Sequence, residues 1–474
     1  MNRKTKIVAT IGPSTESKEM LLKIIEAGVN VCRINFSHGS LREHEKVINN
    51  IREINEEKGL FTAILADLQG PKIRVGKIKN NVVELINNKQ IIFTTKECLG
   101  THEKIYISYQ NFPKDVSVGE SILLDDGKLN LEIINTNNKD EVIAIVKHGG
   151  ILSSNKGVNL PNTKISLPSL TEKDFEDLKF ALKMNIAWIG LSFVRSAQDI
   201  IALKKIISKA GSNSKVIAKI EKPEALKQID AIIEVADAIM VARGDLGVEI
   251  PFQEVPLAQK MIVKKSMKAS KPVIIATQMM ESMIENITPT RAEVNDVANA
   301  VLDGTDAVML SGETSIGNHP VSVIEAMDKI IRDVETDDSL YHFEYPPNEN
   351  ILDRYITDSV CFNSCRLAQR IGASGIVTMT FSGYTGFKIA SFRPKAGIFI
   401  FTGNKAILNM LSLVWGAQVF YYDKFISTDH TIADIKFLLK NGEWIKKNEL
   451  IINIASMPIA DKGQSNMMKL SYIE

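Results

Sequence analysis

Eight short apolar runs recur along this chain, each ending in a polar or glycine-bearing tail and each followed by helical patterning. They are KIVATIG, NVCRINFSH, TAILADLQG, AWIGLSF, KVIAKIE, AIMVARG, PVIIATQ and AVMLSGE. Their apolar residues are continuous rather than alternating, which marks strands of a parallel sheet covered on its outer face. The segments between them, such as KEMLLKIIEAG and AQDIIALKKIISKAG, carry 3.6-residue periodicity and often close on glycine. Eight strands, each with its helix, predict a (β/α)8 TIM barrel, an α/β fold whose chemistry sits at the C-terminal strand ends. At 474 residues and 45% hydrophobic content, the chain is long enough for more than that one domain.

One connection breaks the rhythm. Between the third and fourth runs lie KNNVVELINNKQIIFTT, SILLDDGKLNLEIINTNNKDEVIAIVKHGG and KGVNLPNTKISLP, which alternate apolar and polar residues among Asn, Asp and Gly. That pattern predicts a small inserted module of antiparallel β over residues 71–167, dividing the barrel into residues 1–70 and 168–340. DDGK, Asp125 to Lys128, reads as a hairpin turn. After the break YHFEYPPNEN, strands GIVTMTF, GIFIFTG, AQVFYY, ELIINIAS and MMKLSYIE restart an αβ alternation, so residues 341–474 are expected to form a separate C-terminal α/β domain.

Lys and Arg total 57 against 56 Asp and Glu, a balance that points to neither a nucleic acid nor an acidic membrane surface. No apolar run reaches membrane-spanning length, and MNRKTKIVATIGPS lacks a signal-peptide core. Cys32, Cys98, Cys361 and Cys365 form no CxxC pair. Cys361 and Cys365, four residues apart in a helical pattern, read as packed thiols, with a two-ligand metal site as the alternative. A cytoplasmic globular protein is expected.

The strand tails gather charge. The second carries Arg33, Asn35, Ser37 and His38, the third Asp67, the fifth Lys219 and Glu221, and the sixth Arg243, Gly244 and Asp245. Thr277 and Gln278 follow the seventh, Ser311 and Glu313 the eighth. Each alone reads as an ion pair, a helix cap or a solvated charge; converging on one barrel mouth, they read as a site. Glu221 and Asp245 are hard oxygen donors, and magnesium characteristically uses one or two carboxylates. Lys219, with Arg33 opposite, would neutralise a phosphoryl group in flight. GDLGVEIP offers backbone N–H groups on which a substrate carboxylate could dock. A Schiff-base role for Lys219 is the alternative, but a carboxylate two residues away, on the same side of the strand, favours the charged ammonium. GxxxxGK[ST], HRD, DFG and GxGxxG elements are all absent, which argues against P-loop, protein-kinase and dinucleotide sites.

With these residues in place, the sequence resembles the pyruvate kinase family. The resemblance runs through TKIVATIGPS, CRINFSHG, ADLQGPKIRVG, KGVNLP, AKIEKPEAL, VARGDLGVEIP, ATQMMESM, TPTRAEVNDVANAVLDGTDAVMLSGET and FRPKAGIFIFT, in family order over nearly the whole chain. It implies that the inserted module is a β-barrel-like lid domain on the barrel, and that the chain transfers a phosphoryl group from phosphoenolpyruvate to ADP, giving pyruvate and ATP, in a homotetramer whose C-terminal domain is regulatory. It implies that Glu221 and Asp245 hold Mg2+ (or Mn2+), that Lys219 binds the transferring group and that Arg33 stabilises it. Thr277 and the Gly244–Asp245 backbone would hold the phosphoenolpyruvate carboxylate. Asn35, His38, Arg74 and Lys156 would approach the nucleotide phosphates. Thr277, a water and Lys219 all remain open as the group that protonates the enolate. Another metal-dependent barrel acting on an enolate would share Glu221 and Asp245 without needing Lys219 or Arg74. A catalytically silent homologue would have lost a charged site residue, and none is lost.

Many members bind K+ through oxygens equivalent to Asn35, Ser37, Asp67 and the Leu68 carbonyl, and carry glutamate within GP-x-IR. Here the element reads LQGPKIRV, and Leu68, Gln69, Lys72 and Val75 match a second group with lysine there. The Lys72 ammonium is expected to replace the cation, making K+ unnecessary; a solvated loop lysine is the plainer reading. In the C-terminal domain, TFSGYTG resembles the family's phosphate-binding effector loop, while a structural strand-to-helix turn explains it equally well. Phe381 replaces a basic residue of members responsive to fructose 1,6-bisphosphate, and SMPIADKGQSNMM stands for the later effector loop, so no effector is named.

Overall fold

The computed structural model describes residues 3–161, 163–349, 352–424, 427–457 and 463–474. Eight parallel strands close into a barrel: β1 (Lys6–Ile11), β2 (Val31–Asn35), β3 (Ala63–Asp67), β4 (Trp188–Leu191), β5 (Lys215–Ile220), β6 (Ala238–Ala242), β7 (Val273–Ala276) and β8 (Ala307–Leu310). Each falls within one of the eight apolar runs, and nearly every strand residue is buried. Neighbours in sequence are neighbours in space, and β8 pairs with β1. The long insertion does not disturb this order, because β3 and β4 pair directly, Leu65 opposite Trp188 and Asp67 opposite Gly190. The outer helices bury one face and are capped by their own sequence. Ser40 and Glu43 form a capping box at the start of Leu41–Lys58, and Thr290 with Glu293 does the same at Arg291–Leu302.

Between β3 and β4 a six-stranded sheet runs in the order Val158–Asn159, Ser121–Leu124, Leu129–Thr136, Glu141–His148, Gln90–Thr94, Lys104–Tyr106. A two-stranded ribbon pairs Val82–Leu85 with Gly150–Ser153. Pairing is antiparallel throughout except for the edge pair Gln90–Thr94 and Lys104–Tyr106, which is parallel. Alternate residues point into a core of their own, with Phe93 and Phe112 edge to face. DDGK is the hairpin turn expected, with Asp125, Asp126 and Gly127 all at positive φ between paired strands.

The C-terminal sheet adds β9 (Gly375–Met379), β10 (Gly397–Thr402), β11 (Ala417–Tyr421), β12 (Leu450–Ala455) and β13 (Met467–Tyr472) in the order β11-β10-β9-β12-β13, the last antiparallel. TFSGYTG turns β9 into the helix Tyr384–Ser391 and borders a cavity of about 420 Å³. Residues 458–462 of SMPIADKGQSNMM lie outside the described residues. Cys361 and Cys365 are buried in the helix Leu352–Ile371, and burial pushes both thiols far above their ordinary range. The barrel floor and this domain share one apolar core, crossed by the Trp188 indole N–H donating to the Met410 carbonyl at 3.2 Å.

Candidate active site

Lys219 leaves the end of β5 into the barrel mouth, and its ammonium is almost wholly enclosed. It lies 3.1 Å from Asp67 Oδ1 and 3.0 Å from Glu221 Oε1, and donates to Ser192 Oγ at 2.7 Å. Ser192 in turn donates to the Leu68 carbonyl at 2.7 Å. Arg33, from β2, clamps the other side of Asp67, with Nε 2.7 Å from Oδ2 and Nη1 donating to Thr10 Oγ1 at 3.0 Å. Burial would strip the proton from Lys219, but Asp67 and Glu221 outweigh it and hold the ammonium above the ordinary lysine range. Burial would likewise raise the Asp67 carboxyl, yet Lys219 and Arg33 together hold it below its usual value. A lysine kept charged in this way suits binding an anion and is unsuited to act as a free amine nucleophile.

Glu221 and Asp245 follow adjacent strands, Glu221 directly after β5 and Asp245 in the helix Arg243–Glu249 after β6. The Phe193 N–H donates to Glu221 Oε2 at 2.7 Å, on a residue whose φ of 53° turns the chain sharply after β4. Burial raises the Glu221 carboxyl, and the like charge of Asp245 adds to it against the pull of Lys219. Two carboxylates close enough to repel, backed by a buried hydrogen-bond donor, suit a hard divalent cation that takes one or two such ligands. Most of GDLGVEIP forms the short helix Arg243–Glu249, so the Gly244 and Asp245 N–H groups are those of its first turn, without intrahelical partners. Its Gly244 N–H already donates to Thr277 Oγ1 at 2.7 Å.

Thr277 sits at φ 70° and Gln278 at φ 55°, both left-handed, which is costly for a β-branched residue and must be held by its surroundings. Arg243 supplies that restraint. Its guanidinium grips Asp296 with two 2.7 Å contacts and donates to the Thr277 carbonyl at 2.7 Å. Gly244 packs closely here: an added Cβ would lie 3.3 Å from Thr277 Oγ1, which would have to shift by a few tenths of an ångström. Glu313 takes the plainer of its two readings, as a buried acceptor for the Ser311 and Met280 N–H groups.

The residues expected to meet a nucleotide are spread around the rim. Asn35 Oδ1 accepts from the Ser37 N–H at 3.1 Å, and His38 is exposed just beyond. Arg74 Nη1 donates to the Asn155 carbonyl at 2.9 Å, while Lys156 pairs with Asp125 at 2.8 Å. Lys72 pairs with Asp245 at 3.8 Å. A cavity of about 790 Å³ opens between lid and barrel, lined among others by Lys72, Asp126, Gly244, Asp245 and Thr277.

Four contributors escaped sequence reasoning. Ser192 follows β4 in the tail position that flagged the other strands, so the same rule would have found it. Asp126 was hidden inside a turn motif. Asp296 and Glu249 lie on helices, far in sequence from the groups they hold.

Residues 2–324 match the family model "Pyruvate kinase, barrel domain" and residues 358–471 match "Pyruvate kinase, alpha/beta domain". The pyruvate kinase of Geobacillus stearothermophilus is 43% identical over all of this chain and 81% of its own length. That of Corynebacterium glutamicum is 42% identical over all of this chain and 98% of its own. The crystal structure of a pyruvate kinase from Cryptosporidium parvum superposes with a TM-score of 0.92 at 34% identity, covering this chain entirely and 96% of that one. This chain therefore belongs to the pyruvate kinase family, enzymes that transfer the phosphoryl group of phosphoenolpyruvate to ADP.

Proposed function

We propose that Lys219 and Arg33 receive the phosphoryl group in flight, and that the buried Lys219–Asp67–Arg33 cluster carries this reading. Two fixed cations facing one another across a low-dielectric mouth stabilise charge spread over the equatorial phosphoryl oxygens without reorganising. Thr277 Oγ1 and the Gly244–Asp245 backbone orient the phosphoenolpyruvate carboxylate. Asn35, His38, Arg74 and Lys156 approach the nucleotide from rim and lid. The family generally uses a divalent metal; here Glu221 and Asp245 would hold Mg2+ (or Mn2+), which when bound would polarise the phosphoryl oxygens. Lys72 supplies the positive charge that K+ brings elsewhere, so K+ is not required.

In the division into barrel (1–70 and 168–340), lid (71–167) and C-terminal domain (341–474), the lid is supported by its separate core, and the C-terminal domain by its own five-stranded sheet with a second apolar cluster beside the core it shares with the barrel. A homotetramer is supported by apolar side chains left exposed on barrel helices, Phe252 at 81% and Leu257 at 72%, and by the open edge strand β13 with Tyr472 at 63%. Light scattering would check it. No helix among the described residues is long and apolar enough to cross a membrane, and the free, mostly buried cysteines suit a cytoplasmic location.

The deciding experiment is pyruvate formation from phosphoenolpyruvate, ADP and Mg2+, with Lys219→Met as control. Loss of one fixed charge at the transferring group lowers kcat by about 10²–10³-fold. Full activity in Lys219→Met would sink the assignment.

A further inference from the structure

Glu249 is a carboxylate with an unfavourable address. It sits in the last turn of the helix Arg243–Glu249, where the helix dipole opposes negative charge, and its side chain is 1% exposed. Oε1 carries two partners: Lys222 Nζ at 2.6 Å and Asn159 Nδ2 at 2.7 Å. Oε2 is buried with no protein partner among the described residues. Buried ion pairs contribute little net stability compared with apolar packing, and an orphaned oxygen adds cost. A stability role alone does not account for it.

The three residues join three elements of the site. Asn159 ends the lid's return strand, two residues after Gly157, whose added Cβ would lie 3.3 Å from Lys72 Cε, and three after Lys156. Lys222 adjoins Glu221, and its ammonium lies 5.9 Å from the centroid of the Phe193 ring, the residue whose N–H holds Glu221 Oε2. Glu249 shares a short helix with Asp245, one turn away. One carboxylate oxygen therefore links the lid, the loop bearing Glu221 and the helix bearing Asp245.

We infer that Glu249 is a positioning residue that ties the lid's return strand to the two site carboxylates, setting where Lys156 and Arg74 stand over the barrel mouth. Asn159 is the lid-side arm of this tether, and Lys222 the barrel-side one. The inference rests on the proposed nucleotide role of Lys156 and Arg74 in its ADP arm and on the proposed metal role of Glu221 and Asp245 in its cation arm; its amide-exchange arm rests on neither.

Asn159→Ala and Glu249→Gln in the full chain test it. Removing the charge-assisted bond in Asn159→Ala raises the KM for ADP about tenfold, while the KM for phosphoenolpyruvate and the Mn2+ affinity, read by paramagnetic resonance, change by less than about twofold. Glu249→Gln raises the KM for ADP and also weakens Mn2+ binding by about tenfold. Amide exchange quickens at Val158 and Leu124, which the tether holds in register, and not at Gln90–Thr94. An unchanged KM for ADP in Asn159→Ala overturns the inference, as does a fall in thermal midpoint with no selective change in KM. If the parent chain fails to bind Mn2+, the carboxylate assignment fails and the Asn159 arm still decides the tether.

Discussion

Lys72 stands 3.8 Å from Asp245, with both side chains 31% exposed, so the pair is held by the mouth of the site rather than by bulk packing. Replacing that ammonium with a carboxylate would set a third negative group beside Glu221 and Asp245, and only a bound cation could relieve the repulsion. Lys72→Glu should therefore lose activity by about tenfold or more in buffer free of alkali cations, and K+ should restore it. The parent should be indifferent to K+. Steady-state rates in Mg2+ with tetramethylammonium as the only other monovalent cation, with and without K+, make the comparison. A parent that needs K+, or a variant that ignores it, would contradict the reading of Lys72.

At the scale of elements, the helix Arg243–Glu249 and the turn at Thr277 act as one unit, because Arg243 starts the helix and also holds the Thr277 carbonyl. Asp296 on the neighbouring helix fixes the guanidinium plane through its bidentate grip. Asp296→Asn keeps the shape but loses the charge, and Thr277 then relaxes from its positive φ. We expect kcat/KM for phosphoenolpyruvate to fall about tenfold or more while the KM for ADP holds; equal effects on both substrates would refute the coupling. The strands and their tails were legible from sequence because burial on both faces leaves an unbroken apolar run, and the run must stop where the barrel meets solvent. Lys219, Glu221, Asp67 and Arg33 were found that way, and the structure brings them together. The helix in GDLGVEIP was not legible, since Gly244 and Gly247 lower helix propensity and tertiary packing overrides it. Asp296, Asn159 and Glu249 were invisible for another reason. Their partners lie 53, 90 and 27 residues away, and no local pattern encodes such distances.

Across the whole molecule, the N-terminal segment joins the barrel floor to the C-terminal domain with buried charge. Glu335 accepts the backbone N–H groups of Lys4 and Thr5 at 2.8 and 2.6 Å. Lys4 Nζ donates to the carbonyls of Pro394 and Ala396, and Lys6 Nζ to that of Ala417 at 2.8 Å. Burial pushes Lys6 down to about 7, with Arg3 adding repulsion, and pushes Lys4 down to about 8. An ordinary lysine of the unfolded chain titrates near 10.5. Between about 7 and 10.5, therefore, the unfolded chain holds a proton at position 6 that the folded chain has released, and stability rises with pH across that window. Below about 7 both states are charged and the full penalty of burying the ammonium applies. Lys6→Met removes one titrating group and leaves Lys4 in place, so the rise in thermal midpoint from pH 7 to pH 10 should become shallower without vanishing. Calorimetric scans of parent and variant at pH 7, 8.5 and 10 measure the two slopes. Identical slopes would mean that Lys6 stays charged in the folded chain, and that the Ala417 carbonyl with Glu335 offsets its burial.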